Sequence, residues 1–236
     1  MSADHSSTQY DLDLETIRAK MLMVGGIVEN QLYDAIGCFR TGNMSQADKV
    51  IRADESVNRL EVDLDDACSH LIVKRQPTAN DLRSVVATLK VITDLERIGD
   101  EAVKIARTAQ ALHERGPVSV LNHYESIRIL ALGAIQLLRD ALDCFARLDD
   151  KQAMQIITQD QDIDHEFRAT TREMVTFMME DPRTISAALD TIWVAKAIER
   201  VGDHAKNIAE YVIYVVEGKD IRHTDYAYTR LDSRVQ

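Results

Sequence analysis

The chain has 236 residues and a formal net charge of −11. Binding to nucleic acids or to anionic lipid surfaces depends on clusters of Lys and Arg, so an acidic chain argues against both. We therefore expect no nucleic-acid partner, and contact with a membrane only through other proteins. Hydrophobic residues make up 45% of the chain and only 3 prolines occur, which favours a helical protein with a buried core.

The chain carries no predicted targeting segment. Its first residues, "MSADHSSTQYDLD", lack both the positive charges and the apolar run of a secretory signal. "YVIYVV" (211–216) is among the longest apolar runs and is far shorter than a membrane span. The three cysteines, Cys38, Cys68 and Cys144, lie far apart within helical patterns, as is typical of buried thiols in a reducing compartment. These features predict a cytoplasmic protein.

Apolar residues that recur at steps of three and four predict three long amphipathic helices in the first half of the chain. "TGN" (41–43) ends the first helix, and Pro77 is predicted to lie in the first turn of the third, where proline is tolerated. "RGP" (115–117) ends the third helix. The apolar stripes run from Leu14 to Phe39, from Val57 to Leu71, and from Leu82 to Ile92, with the third helix continuing to about Leu112.

The second half repeats this order of elements. "DD" (149–150) separates a fourth helix from a fifth, and Asp181 and Pro182 are predicted to be the N-cap and first residue of a sixth. The sixth helix reaches about Val216 before Gly218, and no strand pattern of useful length occurs. The predicted fold class is all-α, with six long antiparallel helices arranged as two pseudo-symmetric three-helix bundles.

One phrase occurs twice, at the same depth in the third helix of each half. Residues 94–107 and 197–210 are identical at seven of fourteen positions, at an offset of 103 residues. This is more than a shared helix propensity explains. We infer a duplicated three-helix unit, with repeats at 1–115 and 116–220 followed by a polar tail at 221–236.

Each copy of the phrase places a glutamate and an aspartate four residues apart on one helix face. These pairs are Glu96 with Asp100, and Glu199 with Asp203. Each glutamate continues a stripe that began with apolar residues, so carboxylates occupy positions where a helix more easily carries leucine. The glycine before each aspartate costs the helix ~1 kcal/mol relative to alanine. Its presence in both copies predicts the close approach of another group.

The second helix of each half is acidic at the edge that is predicted to face the third helix. The positions are Asp54, Asn58, Glu61 and Asp65 in the first half, and Asp160, Asp164, Phe167 and Thr171 in the second. Carboxylates from two antiparallel helices would then converge on one surface site. Clustered carboxylates repel one another and attract a cation, and an all-oxygen ligand set suits Mg²⁺, Ca²⁺, Mn²⁺ or iron.

A simpler interpretation is also open. A single E-x-x-x-D on a helix is usually a solvated face or a salt-bridge partner, and Arg97 and Arg200 stand beside the two glutamates as candidate partners. The occurrence of the pair in both halves favours a metal site. His204, which follows Asp203, is a candidate to adjust the choice of metal in the second half.

Four segments resemble the PhoU family of phosphate-uptake regulators, and the resemblance runs from about Leu12 to Gly218. They are "RQPTANDLR" (75–83), "DLERIGDEAVKIAR" (94–107), "MMEDPR" (178–183) and "ERVGDHAKNIAEYVIY" (199–214). The resemblance implies two three-helix bundles related by pseudo-twofold symmetry, in a cytoplasmic protein that forms a homodimer. It also implies that the protein is not an enzyme.

The resemblance further implies that the E-x-x-x-D motifs bind metal ions such as iron, zinc, manganese or magnesium. The implied ligands are Glu96, Asp100, Glu199 and Asp203, with Asp54, Asn58, Asp160 and Asp164 on the second helices. Asn58 replaces a carboxylate, so the two sites are not expected to be equal. The implied role is negative regulation: when phosphate is plentiful, the protein couples a phosphate ABC transporter, through its ATPase subunit, to a sensor histidine kinase, and phosphate-starvation genes stay off.

Two other functions remain open from the sequence. A carboxylate-bridged di-metal enzyme of the ferritin-like kind uses Glu-x-x-His on two helices, and no Glu in this chain has a His three residues later. The sequence also lacks a Gly-rich phosphate loop, a G-x-S-x-G motif and a Cys–His pairing that would indicate catalysis. The other alternative is a metal-free helical adaptor whose acidic pairs only increase solubility.

Overall fold

The computed structural model describes residues 2–115 and 124–222, with side chains from Gln9 onward. No strand occurs in these residues, and the predicted all-α class is confirmed. The elements in chain order are α1 (Ser2–Thr41), α2 (Met44–Arg75), α3 (Ala79–Glu114), α4 (Tyr124–Arg147), α5 (Asp150–Glu180), a 3₁₀ turn (Pro182–Thr184) and α6 (Ile185–Glu217).

The connection between α2 and α3 differs from the prediction. Pro77 lies outside α3, which begins at Ala79 behind an extended Thr78 (φ −73°, ψ 173°). A residue before proline is disfavoured in the helical region, and here Gln76 ends α2 in the left-handed conformation with φ 48°. The chain therefore needs two further residues before it can turn back into a helix. The prediction that Pro77 belongs to the first helical turn was wrong by two residues.

The remaining helix ends follow the predicted turn signals closely. The Asp149 side chain accepts hydrogen bonds from the backbone N–H groups of residues 151 and 152, which caps α5. Asp181 caps the 3₁₀ turn by accepting from Arg183 N at 3.0 Å, so α6 proper begins three residues after Pro182. Gly218, at φ 72°, closes α6. The predicted stop at residues 115–117 is seen only in part. α3 ends at Glu114, directly before Arg115, and 116–117 lie outside the described residues.

The helices pack as two groups of three. α1, α2 and α3 contact one another, as do α4, α5 and α6, and the groups meet where α3 lies along α6 and α1 touches α4. The two helices that carry the doubled phrase therefore form the centre of the molecule. On α3 the core is filled by apolar residues that are fully buried, and they include Leu95, Ile98, Ala102 and Ile105.

The predicted repeat boundaries stay predictions. The boundary between 115 and 116 adjoins a stretch, 116–123, that lies outside the described residues, and most of the tail at 221–236 lies outside them too. The three cysteines are buried free thiols, and burial raises the pKa of Cys144 to about 12. No helix within the described ranges is long and apolar enough to cross a membrane.

Candidate functional site

The first acidic cluster lies between α2 and α3, where Asp54 packs over the glycine of the first phrase. A Cβ placed on Gly99 would lie 3.1 Å from Oδ1 of Asp54, which is tighter than nearly all real Cβ contacts. Asp54 approaches the α3 backbone this closely because residue 99 has no side chain. The close approach that the mid-helix glycine predicted is therefore made by a carboxylate of α2.

Four carboxylates of this cluster act on one another: Asp54, Glu61, Glu96 and Asp100. Burial, followed by the charge of Asp100, raises the pKa of Asp54. Burial, followed by the charges of Asp100, Glu61 and Asp54, raises the pKa of Glu96. Among the described residues, Oδ1 of Asp54 is buried and makes no hydrogen bond of good geometry, and none of the four carboxylates forms an ion pair. Arg107 and Gln31 act against the rise in the pKa of Asp54, and Arg97 acts against that of Glu96, without reversing either. The cluster thus holds concentrated, partly dehydrated negative charge.

The other two predicted positions of α2 lie at the edge of the cluster. Asn58 is exposed, and its Nδ2 donates to Oδ2 of Asp54 at 3.4 Å. Its amide oxygen is left as a further neutral donor atom toward a cation. Asp65 is exposed, and its charge adds to the effect of burial in raising the pKa of the Cys68 thiol.

The second cluster, between α5 and α6, has the same framework. A Cβ on Gly202 would lie 3.1 Å from Oδ1 of Asp160 and 3.2 Å from Cγ2 of Ile163. Asp160 and Glu199 are buried, at 4% and 8% exposure. Loss of hydration, followed by the charges of Glu199 and Asp160, raises the pKa of Asp203 to about 6. The structure therefore brings the second four predicted positions together as well, with Asp164 adding to the shift on Asp160.

Two lysines enter the second cluster, and the sequence argument missed both. Nζ of Lys206 lies 3.1 Å from Oδ2 of Asp160, and Lys196 forms an ion pair with Glu199. The signal was available in the doubled phrase: the residues 103 positions earlier are Thr93 and Val103, which carry no charge. Ion pairs with these two lysines partly neutralise the negative charge of the second cluster, whereas the first cluster has no such ion pair among the described residues.

A third difference concerns Phe167, which occupies on α5 the place that Glu61 has on α2, counted from the aspartate over the glycine. Nζ of Lys196 lies 5.4 Å from the centre of the Phe167 ring, a distance at which an ammonium is attracted to an aromatic face. The ring and the glutamate together hold Lys196 in place. In the first half the same position adds a carboxylate instead.

Two predicted roles near the second cluster are wrong. Nδ1 of His204 lies 2.7 Å from Oδ1 of Asp94 on α3, so His204 does not face the cluster. Nη1 of Arg200 lies 3.3 Å from Oε1 of Glu101, while the partner of Glu199 is a lysine. Successive residues of a helix point about 100° apart, so the residue after each carboxylate of the pair faces α3 rather than α5.

The donor chemistry of the clusters fits a hard cation. Within residues 2–115 and 124–222, no three His, Cys, Asp or Glu side chains are close enough to hold a metal ion as they stand. The donors are all oxygens, and one of them, Oδ1 of Asp54, is buried and unpartnered, which suits a cation that prefers oxygen ligands. Rotation of side chains such as Glu96 and Asp100 is needed to complete a ligand set.

The PhoU domain model matches the chain twice, over residues 22–109 and 127–212. The chain belongs to the PhoU family. It is similar to the phosphate-specific transport system accessory protein PhoU of Escherichia coli (strain K12), at 44% identity over 219 residues, covering 93% of this chain and 90% of that protein. A PhoU homolog of Pseudomonas aeruginosa is 40% identical over 232 residues, covering 98% of this chain and 94% of the relative.

Two solved PhoU structures have the same fold. The crystal structure of PhoU from Pseudomonas aeruginosa aligns with a TM-score of 0.85 at 40% identity, covering 89% of this chain and all of that one. The phosphate transport system regulatory protein PhoU from Streptococcus pneumoniae aligns with a TM-score of 0.81 at 24% identity, covering 89% of this chain and 98% of that one, and supports the fold alone. The family consists of accessory proteins, in agreement with the prediction that the chain is not an enzyme.

Proposed function

We propose that this PhoU-family protein regulates a phosphate ABC transporter and binds metal ions at its acidic clusters. The support for the first part is the similarity, over nearly the whole chain, to proteins named as accessory to a phosphate-specific transport system. In this proposal the protein is a cytoplasmic homodimer. It couples the ATPase subunit of the transporter to a sensor histidine kinase and represses phosphate-starvation genes when phosphate is plentiful.

The observation that carries the metal proposal is that the four carboxylates of the first cluster have no ion-pair partner among the described residues. Asp54 reaches over Gly99 with a buried, unpartnered oxygen, next to Glu96 and Asp100. In this proposal these three carboxylates bind one cation, with Glu61 and the amide oxygen of Asn58 at its edge. Oxygen ligands favour magnesium, manganese or iron over zinc, which more often takes nitrogen and sulfur ligands.

When bound, the metal supplies positive charge that holds the carboxylates of α2 and α3 in one arrangement. The residues of this chain then present a fixed acidic surface to a partner. Complementary charge across an interface mainly speeds and orients the encounter, so the proposed role of the clusters is recognition rather than catalysis. The apolar residues of the doubled phrase, including Leu95 and Ile98, fill the core and are not ligands in this proposal.

One observation favours the metal-free adaptor for the second half. Lys196 and Lys206 already pair with Glu199 and Asp160, so this cluster has a source of positive charge of its own. We therefore propose that the first cluster is the principal metal site. The second cluster, on this proposal, binds metal only in competition with the two lysines.

The regulatory proposal is tested by deleting the gene and assaying alkaline phosphatase in phosphate-rich medium. We expect phosphatase to be expressed without starvation, and continued repression would contradict the proposed role. The link to metal is tested in the same strain by a variant with Glu96 and Glu199 changed to Gln and Asp100 and Asp203 changed to Asn. This variant is expected to fold, because its core is unchanged, and to fail to repress at normal abundance. Full repression by that variant, shown to be metal-free, would separate metal binding from signalling.

A further inference from the structure

α3 and α6 leave a groove on each side of their contact, and the two grooves are built from equivalent positions of the two halves. The larger is a cavity of about 330 Å³ lined by Lys90, Asp94, Arg97, His204, Asn207 and Tyr211. The smaller, of about 200 Å³, is lined by Trp193, Arg200, Glu101 and Lys104 among others. Because the equivalent positions carry different side chains, the two grooves can be compared directly.

The cations of the smaller groove are paired within the protein. Lys104 and Arg200 both contact Oε1 of Glu101, at 2.9 Å and 3.3 Å. Glu101 is buried at 4% exposure, and its other oxygen, Oε2, has no hydrogen-bond partner among the described residues. The smaller groove therefore holds an unpartnered carboxylate oxygen, but little positive charge remains there for an anionic ligand.

In the larger groove, the carboxylate of Asp94 forms no ion pair with Lys90 or Arg97, which line the same groove. Oδ1 of Asp94 accepts hydrogen bonds from Nδ1 of His204 at 2.7 Å and from Nδ2 of Asn207 at 3.2 Å. Asp94 is 5% exposed, and its other oxygen, Oδ2, is buried and makes no hydrogen bond of good geometry with a described residue. The Tyr211 hydroxyl stands beside this carboxylate, since burial and then the charge of Asp94 raise the pKa of Tyr211. His204 and Asn207 both donate to Oδ1, so Oδ2 is the oxygen that can accept from a ligand.

The cations of the larger groove have no carboxylate partner. Neither Lys90 nor Arg97 forms an ion pair with any residue in the part of the chain that the structure describes. Nζ of Lys90 is held beside the groove by the rings of Tyr211 and Tyr214, at 5.4 Å and 5.5 Å from their centres. The aspartate nearest the end of the groove, Asp220, is bound by Arg222.

These features define the ligand chemically. Two unpaired cations require negative charge, and an unpartnered buried acceptor requires a hydrogen-bond donor. Inorganic phosphate combines both near neutral pH, because its dianion still carries one P–OH, and a phosphate monoester does so in its singly charged form, which loses its proton near this pH range. Sulfate has no proton left to donate. We propose that the groove between α3 and α6 binds a protonated phosphate group, with Lys90 and Arg97 contacting its oxygens and its P–OH donating to Oδ2 of Asp94.

This proposal needs no metal and goes beyond the regulatory role proposed above. His204 and Asn207 are positioning residues in it, since they hold Asp94 and leave one oxygen free. The phosphate group has two possible sources, the free ion or a small phosphate monoester such as a nucleotide. Both can offer negative charge and a P–OH donor, but the free ion keeps its P–OH as a dianion while the monoester keeps one only as a monoanion, and the measurement has to separate them.

The test is isothermal titration calorimetry on the full chain after chelation of metals. The probes are inorganic phosphate, sulfate, and AMP, each at ionic strength matched with chloride. We expect phosphate or AMP to bind, with sulfate at least ~10-fold weaker, because a site with an acceptor for a hydroxyl rejects the analogue that lacks it. Preference for phosphate over AMP assigns the free ion, and the reverse preference assigns the monoester. Equal binding of sulfate and phosphate, or no binding beyond that of chloride, overturns the proposal.

Three variants locate the site. The double variant Lys90→Met with Arg97→Gln should weaken binding at least ~10-fold, and its helical circular dichroism should be unchanged. The matched control is Arg200→Gln, at the position equivalent to Arg97, where the guanidinium already contacts Glu101; it should bind as the wild type does. Asp94→Asn should reduce the preference for phosphate over sulfate by ~10-fold or more. Unchanged binding in the double variant overturns the proposal, and metal content measured on the same samples separates this result from the fate of the metal sites.

Discussion

The two acidic clusters share a framework and differ in how their charge is balanced. In each, an aspartate of the second helix lies over a glycine of the third, at the same 3.1 Å from the place of a Cβ. In the first cluster the four carboxylates have no ion-pair partner among the described residues, while in the second two lysines pair with Asp160 and Glu199. A duplicated backbone arrangement can therefore be kept while its electrostatics change.

This difference in charge balance indicates which cluster would gain more from a bound cation. Like charges four residues apart on a helix repel, and burial adds to the cost of keeping them ionised. An external cation is one way to offset that cost, and a lysine ammonium is another. In the second half the ammonium groups of Lys196 and Lys206 supply this charge, whereas in the first half, on the proposal above, a cation from solution would supply it.

The largest expected effect is on bound metal. Glu96→Gln with Asp100→Asn should remove most of the metal that copurifies with the protein, because it takes two of the principal ligands from the proposed main site. The matched variant, Glu199→Gln with Asp203→Asn, should remove little. The measurement is elemental analysis of protein purified without chelator or affinity metal. Equal losses from the two variants would show that the lysines do not separate the halves.

The next prediction removes the two lysines from the second cluster, so that its carboxylates lack ion-pair partners as those of the first cluster do. Lys196→Met with Lys206→Met should leave the buried Asp160 and Glu199 unpaired and lower the stability of the metal-free protein by about 1–3 kcal/mol. Added Mn²⁺ or Mg²⁺ should restore much of that loss, since ligand binding to the folded state stabilises it. Urea unfolding with and without metal measures both effects.

The control for this double variant uses two lysines outside the cluster. Lys20→Met with Lys74→Met makes the same chemical change at exposed positions of α1 and α2. It should give no gain in stabilisation by metal. A Lys196 and Lys206 variant that is as stable as the wild type would mean that the ion pairs contribute little.

The fold could be predicted from the sequence because several independent signals agreed. The apolar stripes, the break at residues 149–150 and Gly218 each indicated a helix end that the structure shows, and the predicted cap Asp181 opens the 3₁₀ turn that leads into α6. The error at Pro77 arose because proline is compatible both with a first helical turn and with the residue before an N-cap. The backbone of Gln76, in the left-handed region, decided between them, and no sequence rule gives that conformation for glutamine.

The spacing of residues along the sequence predicted where the acidic clusters lie, but it did not predict the ion pairs within them. Spacing along a helix says which residues share a face, and it correctly predicted that something approaches Gly99 and Gly202. Which cation pairs with which carboxylate depends on side chains that come from other turns and other helices. Lys206, seven residues after Glu199, reaches Asp160 on α5, and His204 turns to Asp94 on α3. Both contacts follow from how α6 is rotated between its neighbours.

A smaller effect tests the shared framework itself. Gly99→Ala and Gly202→Ala should each gain ~1 kcal/mol of helix propensity, and each new methyl must displace an aspartate. Asp54 is not held by an ion pair, so Gly99→Ala is expected to be neutral or stabilising. Gly202→Ala also meets Ile163 at 3.2 Å, in a cluster where Asp160 is held by a lysine, so overpacking of ~1–3 kcal/mol should outweigh the gain. Thermal melting of the metal-free variants compares them, and equal melting temperatures would contradict the difference.

The smallest expected effect is on the stability of a variant of the first cluster, Asp54→Asn, whose difference from the wild type should change sign when metal is added. Asp54→Asn removes a half-buried carboxylate, with one buried and unpartnered oxygen, that lies next to Asp100, so the metal-free protein should gain about 0.2–0.5 kcal/mol, the size of one relieved repulsion. Asp160→Asn should give no such gain, because it removes the charge that Lys206 pairs with. With metal added, Asp54→Asn should become less stable than the wild type, because a ligand is lost and the wild type alone gains the full binding energy. A stability difference of the same sign with and without metal would show that Asp54 is not a ligand.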